Sequence, residues 1–199
     1  MSDSAKTILL CGVGGQGTIL AADLLARAAI ASGDDVKLSE IHGMAQRGGA
    51  VTTVVRVGRA VGTMVADIGD ADFLVSFETT EALRNIAYLK QDGIAIVSDE
   101  TIKPLTALTG RVPMPRGARK TLSDFGALVT PAELFARQAG SVKSVNVVLL
   151  GVLSTFLDYD EAVWLDVIRG RVPERFVDMN LKAFSLGRSF ARDRAGQMG

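Results

Sequence analysis

The first hundred residues alternate between short apolar runs and helix-like segments. Residues 7–11 form a continuous apolar run, which is typical of a strand buried on both faces of a parallel sheet. The Ala- and Leu-rich residues 18–32 predict a helix that a glycine closes. A second helix is predicted from Thr79 or Thr80, as its cap, through Leu89. Four more strands are predicted over residues 36–41, 50–57, 73–77 and 94–97.

The last third of the chain has the apolar spacing of consecutive helices. Pro131 suits the first turn of a helix capped by Thr130. Residues 143–157 are mostly apolar, so the helix predicted there is expected to be buried. The predicted helices of this part cover residues 131–140, 143–157, 159–169 and 174–192.

The segment 42–49 interrupts the regular alternation of strand and helix. Its eight residues include three glycines and are too few for the crossover helix of a doubly wound sheet. The strand that follows, residues 50–57, is therefore predicted to run antiparallel to a neighbour or along an edge. Residues 101–124 are predicted as loop, or as short strands with turns.

These patterns together predict an α/β fold in a single domain over residues 1–199. The expected architecture is a Rossmann-like three-layer sheet with mixed strands and a helical C-terminal third. Neither an internal repeat nor a linker is evident in the sequence.

Charge and cysteine usage exclude several classes of function. The 22 basic and 22 acidic residues cancel, which gives no reason to expect nucleic acid or an anionic membrane as a partner. The N-terminus has no signal-peptide pattern, and no apolar run reaches the length of a membrane span. One cysteine, Cys11, and one histidine, His42, cannot make a usual zinc or iron–sulfur site. We therefore expect a cytoplasmic protein that holds no metal.

A glycine-rich segment between the first strand and the first helix has the weak dinucleotide pattern G-x-G-x-x-G. Such a loop lets backbone N–H groups approach an anion, and the helix that follows adds a partial positive charge. Glu40 lies 23 residues after Gly17, where a dinucleotide site places its ribose-binding acid. The candidate binding residues of this part are Gly12, Gly14, Gly15, Gln16, Gly17 and Glu40. The alternative is a tight turn without a ligand.

A second candidate segment follows the second predicted strand. Arg47 is a planar cation flanked by residues that let the backbone come close, which suits a phosphate or a carboxylate. The candidate binding residues here are Gln46, Arg47, Gly48 and Gly49. The alternative for Arg47 is an ion pair with Glu40 or Glu78. No residue is predicted to be catalytic.

The two glycine segments, residues 12–17 and 43–49, resemble the gamma domain of 2-oxoacid:ferredoxin oxidoreductases. Within this family the resemblance is to the small, or beta, subunits of the indolepyruvate enzymes. It covers most of the chain and is densest over residues 7–100, and the second segment is the more specific. Further segments that share it are residues 39–40, 54–56, 77–84 and 146–151.

The resemblance implies a division of labour between subunits. Thiamine diphosphate, Mg²⁺ and [4Fe–4S] clusters would be carried by a large partner subunit, and this chain alone would be inactive. The complex would convert an aryl 2-oxoacid to an acyl-CoA and pass two electrons to ferredoxin. Coenzyme A is the one ligand that the glycine segments of this chain are expected to bind.

Two other functions stay open at this point. An independent NAD- or FAD-binding oxidoreductase would use Glu40 on a ribose. A scaffold subunit would use both glycine segments for subunit contacts and would bind no ligand. The identity of the 2-oxoacid, and whether the isolated chain is a homodimer, do not follow from these patterns.

Overall fold

The computed structural model describes residues 5–42, 49–102 and 116–195. These residues form one six-stranded sheet. Its strands are β1 (Lys6–Val13), β2 (Asp35–His42), β3 (Ala50–Gly58), β4 (Ala71–Ser76), β5 (Leu89–Ser98) and β6 (Leu128–Thr130).

Seven α-helices accompany this sheet within the described residues. They are α1 (Thr18–Ala31), α2 (Thr79–Asn85), α3 (Ala118–Asp124), α4 (Ala132–Ala139), α5 (Val145–Leu153), α6 (Glu161–Arg171) and α7 (Val177–Ala195). Short 3₁₀ turns cover Ile86–Tyr88, Val142–Ser144 and Glu174–Phe176. The described elements that follow β6 are all helices or 3₁₀ turns, as the sequence predicts.

The strand order is β2-β3-β1-β4-β5-β6. Strands β1, β4, β5 and β6 are parallel, whereas β3 lies antiparallel between β1 and β2. Val55 of β3 pairs with Ile8 on one side and with Leu38 on the other. The predicted antiparallel direction of this strand is confirmed. The alternative position along an edge is wrong, because the β2–β3 hairpin folds back and leaves β2 at the edge.

Helices cover both faces of the sheet, which confirms the predicted three layers. Alternate β1 residues point to opposite faces: Ile8 and Leu10 join one apolar cluster, and Leu9 and Cys11 join another. The first cluster includes residues of α1, α4, α5, α6 and α7, and the second includes residues of α2 and α3. We call the two sides the first and second faces. The prediction that β1 is buried on both faces is confirmed.

The backbones of α5 and α7 approach each other very closely where the two helices cross. A Cβ built on Gly151 would lie 2.2 Å from the carbonyl oxygen of Phe184, and one on Gly187 would lie 2.1 Å from that of Val148. Both distances are far below van der Waals contact, so only glycine permits this approach. All of α5 from Asn146 onward is buried. No helix among the described residues is long and apolar enough to cross a membrane.

Three local predictions are wrong. Glu78, and not Thr79 or Thr80, caps α2, and the helix ends at Asn85, since Leu89 already belongs to β5. Pro131, and not Thr130, occupies the cap position of α4.

Part of the predicted 101–124 loop is helix α3, whose N-terminus follows Gly117 in the left-handed conformation. Ala118 and Leu122 of this helix are buried. Packing on the second face therefore stabilises a segment whose composition favours a loop.

Gly151→Ala or Gly187→Ala should destabilise the fold by more than about 3 kcal/mol, because the new methyl group must push two helix backbones apart. Gly170→Ala is the matched control: it is a helical glycine with nothing within 4 Å of the added Cβ. That change should stabilise the protein by about 0.5–1 kcal/mol. Urea unfolding monitored by circular dichroism measures all three. If the three variants had similar free energies of unfolding, the close approach of α5 and α7 would be contradicted.

Candidate functional site

The two central parallel strands, β1 and β4, connect to helices on opposite faces of the sheet. β1 continues into α1 on the first face, and β4 continues into α2 on the second face. Ligands of open α/β sheets bind in the crevice at such a switch point, outside the carboxyl ends of the strands. The first glycine segment, residues 12–17, and the turn at Phe77 and Glu78 form this edge.

The backbone of the first glycine segment needs glycine at two positions. Gly15 has φ +103° and no atom within 4 Å of an added Cβ. Gly17 has φ +85° and directly precedes α1. Left-handed φ values favour glycine, so the turn presents bare backbone at the sheet edge.

The first turn of α1 has no acid to bond its N–H groups. Gly17 offers no side-chain cap, and none of the first residues of the helix is acidic. The N–H groups of a helix's first turn have no partner within the helix, and the helix dipole adds to their positive potential. An anion at the glycine segment would therefore meet uncompensated donors.

The Gln16 side chain links the glycine segment after β1 to the turn after β4 by hydrogen bonds. Its Oε1 accepts a hydrogen bond from the Val13 N–H at 2.7 Å, and its Nε2 donates to the Phe77 carbonyl at 3.1 Å. Gly12 leaves room for this amide, since an added Cβ would lie 2.7 Å from Oε1. Both ends of the Gln16 amide are thus used within the protein, which favours a supporting role over direct ligand contact.

A second fastening joins the segment to α5. The Asn146 side chain donates to the Gly17 carbonyl at 3.3 Å and accepts from the Val147 N–H at 2.9 Å. An added Cβ on Gly17 would lie 2.7 Å from Asn146 Nδ2. The spacing of motifs gives no sign of this contact, because the two residues are far apart in the chain.

The structure brings Gly49, the last residue of the second glycine segment, to the same edge of the sheet. The Gly14 N–H donates to the Gly49 carbonyl at 2.9 Å, immediately before β3 begins. Gln46, Arg47 and Gly48 lie outside the described residues, as does any ion pair of Arg47. The shared edge follows from the hairpin, which turns beside the end of β1.

Glu40 lies on β2, with β3 between it and β1. Neighbouring strands are about 4.8 Å apart, so Glu40 is about 10 Å from β1 across the sheet. A dinucleotide fold places this acid on the strand next to the glycine loop. The Gly49 backbone occupies that place here, which disfavours the NAD or FAD alternative. The Oε1 atom of Glu40 is buried and has no hydrogen-bond partner among the described residues.

The Glu78 carboxylate caps the helix that follows it, α2. Its carboxylate accepts hydrogen bonds from the Thr80 N–H at 2.9 Å and from the Glu81 N–H. Glu81 is also buried, and burial raises the pKa of its carboxyl against the opposing effect of the Arg84 guanidinium 2.8 Å away. An ion pair of Arg47 with Glu78 would have to compete with two backbone donors.

A pair of carboxyl groups beyond the switch point is a feature that the sequence patterns miss. Glu100 follows β5, and Glu133 lies in the first turn of α4, beside Arg137. The hydrogen bond to Glu133, together with partial burial, raises the pKa of Glu100 to about 7. The same bond and Arg137 hold the pKa of Glu133 below its usual value.

Comparison with known proteins gives a family and close relatives. The family model described as pyruvate ferredoxin/flavodoxin oxidoreductase matches residues 7–190. Indolepyruvate oxidoreductase subunit IorB of Thermococcus kodakarensis is 40% identical over 197 residues, covering 95% of this chain and 97% of that protein. The subunit of the same name from Pyrococcus horikoshii is 40% identical over 194 residues, with 94% and 96% coverage.

Solved structures share the fold. The gamma subunit of a keto/oxoacid ferredoxin oxidoreductase from Geobacter sulfurreducens has a TM-score of 0.70 and 26% identity, over 94% of this chain and 99% of that one. A 2-oxoglutarate:ferredoxin oxidoreductase from Magnetococcus marinus, solved with 2-oxoglutarate, coenzyme A and succinyl-CoA bound, has a TM-score of 0.73. It is 22% identical over 95% of this chain and 31% of that one, a likeness of fold alone.

The raised pKa of Glu100 predicts a pH dependence of stability. Between about pH 4.5 and 7 the unfolded chain releases this proton while the folded chain keeps it. The free energy of unfolding should therefore fall as the pH rises through this window. Glu100→Gln should flatten the fall, because an amide donates to Glu133 at every pH. Glu174→Gln, an exposed glutamate elsewhere, is the control. Urea unfolding at pH 5, 6, 7 and 8 tests this, and identical slopes in both variants would contradict it.

Proposed function

Because the chain belongs to the pyruvate ferredoxin/flavodoxin oxidoreductase family, we propose that it is the small subunit of an indolepyruvate-type enzyme. Membership makes it a subunit of an oxidoreductase of the 2-oxoacid:ferredoxin type. The observation that carries the substrate proposal is 40% identity, over nearly the full length of both chains, to two indolepyruvate oxidoreductase subunits.

The proposed reaction is an oxidative decarboxylation of an aryl 2-oxoacid such as indolepyruvate. The bond between the oxo carbon and the carboxylate breaks and releases CO₂, and the acyl group becomes a thioester of coenzyme A. Two electrons leave the substrate and reduce two one-electron ferredoxin acceptors, and one proton is released.

The proposed partner is a large subunit that carries thiamine diphosphate, Mg²⁺ and [4Fe–4S] clusters. The donor set of this chain supports that division. Cys11, its one cysteine, is fully buried, and its Sγ lies 3.6 Å from the Glu81 carbonyl. Burial raises the pKa of the Cys11 thiol to about 12, whereas an iron ligand must be a thiolate. A cytoplasmic location belongs to the same proposal.

Within this complex we assign coenzyme A to the edge where the two glycine segments meet. The N–H groups of Gly15, Gly17 and the first turn of α1 would be the phosphate donors, since no acidic side chain caps this helix. Gln16 would hold this backbone in place. The remaining candidates are Gly12, Gly14, Glu40, Gln46, Arg47, Gly48 and Gly49, with Arg47 supplying a guanidinium to a phosphate.

The first test is reconstitution with the large subunit under anaerobic conditions. The chain should co-purify from its native cells with the large subunit, and together they should reduce ferredoxin with indolepyruvate and coenzyme A. Neither subunit alone should do so. A chain that purifies alone with a bound dinucleotide, or a complex that uses only aliphatic 2-oxoacids, would contradict the proposal.

Gly15→Ala should raise the KM for coenzyme A by about tenfold, because an added Cβ disfavours the left-handed backbone that presents the donors. Gly33→Ala is the matched control, since Gly33 has φ +91°, equally open surroundings and a position at the far end of α1. Both changes should cost about 1–2 kcal/mol of stability. Only the first should change the KM.

Arg47→Ala should raise the same KM while leaving the KM for the 2-oxoacid unchanged. Steady-state kinetics of the reconstituted complex measures both constants. Unchanged constants in both Gly15→Ala and Arg47→Ala would favour the scaffold alternative, in which the glycine segments bind no ligand.

A further inference from the structure

Strand β2 is an open edge of the sheet that carries exposed apolar side chains. Within the described part of the chain it is paired on one side only, along all eight residues from Asp35 to His42. Ile41 is 64% exposed, and Leu38 is exposed on the other face. Soluble proteins usually protect such an edge with charges, bulges or a covering element, because its free N–H and C=O groups can pair with another chain.

None of the described helices packs on the second face of the sheet beside β2. Among the described residues, α2 packs on β1, β4 and β5, and α3 packs beside β6. Residues 61–65 lie there instead and expose Met64 and, at 62%, Val65.

Polar anchors hold these residues in place through their backbone. Lys37 donates to the Gly62 carbonyl, Arg56 donates to the Val65 carbonyl at 2.8 Å, and the Val61 N–H donates to Asp35 at 2.9 Å. The backbone therefore faces the sheet while the large apolar side chains face solvent. This arrangement presents apolar surface instead of burying it.

We propose that this edge surface, defined as Leu38, Ile41, Met64 and Val65, binds an extended segment of the large partner subunit. The inference rests on the proposed function, which supplies that partner. Contiguous exposed apolar patches mark protein–protein contacts, and an open strand edge adds backbone hydrogen bonds to them. The segment would extend the sheet beyond β2 and cover the side chains on both faces.

Charge placement argues against a second copy of this chain as the occupant. In an antiparallel pair, residues directly opposite each other point to the same face. Lys37 and Glu40 point to opposite faces of β2, so they cannot pair across a two-fold axis. Two registers would pair most of the strand with its copy. The register centred on Leu38 places Glu40 opposite Val36, and the register centred on Ser39 places Glu40 opposite Leu38, so both leave Glu40 opposite an apolar side chain.

The positions of Lys37 and Glu40 on β2 also predict which side chains the partner segment should carry. Its strand should carry a base opposite Glu40 on the first face and an acid opposite Lys37 on the second face. Apolar side chains should stand between these charges, against Leu38 and Ile41. Such a partner would pair the charges of Lys37 and Glu40, whereas a second copy would place Glu40 opposite an apolar side chain.

The test compares two double variants in binding to the immobilised large subunit. Ile41→Lys with Val65→Lys changes the edge surface. The matched control is Phe125→Lys with Leu134→Lys, whose wild-type side chains are 57% and 53% exposed and lie beside β6, at the other end of the sheet. The edge variant should bind about tenfold or more weakly. The control should bind within about twofold of the wild type.

Urea unfolding of the free chains should show equal stability for both variants, since all four positions are exposed. Edge variants that bind as well as the wild type, or controls that lose as much, would overturn the proposed surface and leave the proposed function intact. A wild-type chain that does not bind the large subunit would instead refute the proposed function. A wild-type dimer that Ile41→Lys converts to monomers would assign the surface to a second copy.

Discussion

The position of one antiparallel strand determines where everything else in the site can lie. β3 pairs with both β1 and β2 over their full length, so the β2–β3 hairpin must turn at the carboxyl edge, beside the end of β1. That turn brings Gly49 within hydrogen-bond distance of Gly14 and joins two glycine segments that are separate in the chain. It also moves Glu40 one strand further out. The same pairing thus brings candidate anion-binding residues together and removes the geometry of a dinucleotide site.

Rigid support is the second property of this edge. Gln16 holds the first glycine segment against the Phe77 carbonyl, and Asn146 holds its end against α5. Both contacts use uncharged amides, so they fix the backbone without neutralising the positive potential at the start of α1. A preorganised loop loses little conformational entropy when a phosphate binds. A rigid backbone with free donors at this edge therefore supports the proposed role in binding coenzyme A.

The elements could be predicted where the signal is local. The apolar run of residues 7–11 predicts β1, and the Ala-rich residues that follow predict α1. The short gap before β3 predicts the direction of that strand. The cap of α2 could not be chosen, because Glu78, Thr79 and Thr80 are adjacent polar candidates and tertiary burial decides between them. Gln16 was identified as a candidate, but its partner at Phe77 is 61 residues away and depends on β4 lying next to β1. The Glu100–Glu133 pair depends in the same way on α4 returning to the end of β5.

Because of the crossing of α5 and α7, backbone amide hydrogens in different parts of the molecule should exchange with solvent at different rates. α5 is enclosed between the sheet and α7, with glycine contacts that admit no side chain, so its amide hydrogens should exchange only when the whole protein unfolds. β2 has one hydrogen-bonded neighbour, so its outer amides can exchange through small local openings. The chain would then contain a slowly exchanging helical half and a more permissive sheet edge. Such a division lets the edge adjust to another polypeptide while the core that positions the glycine segments stays closed.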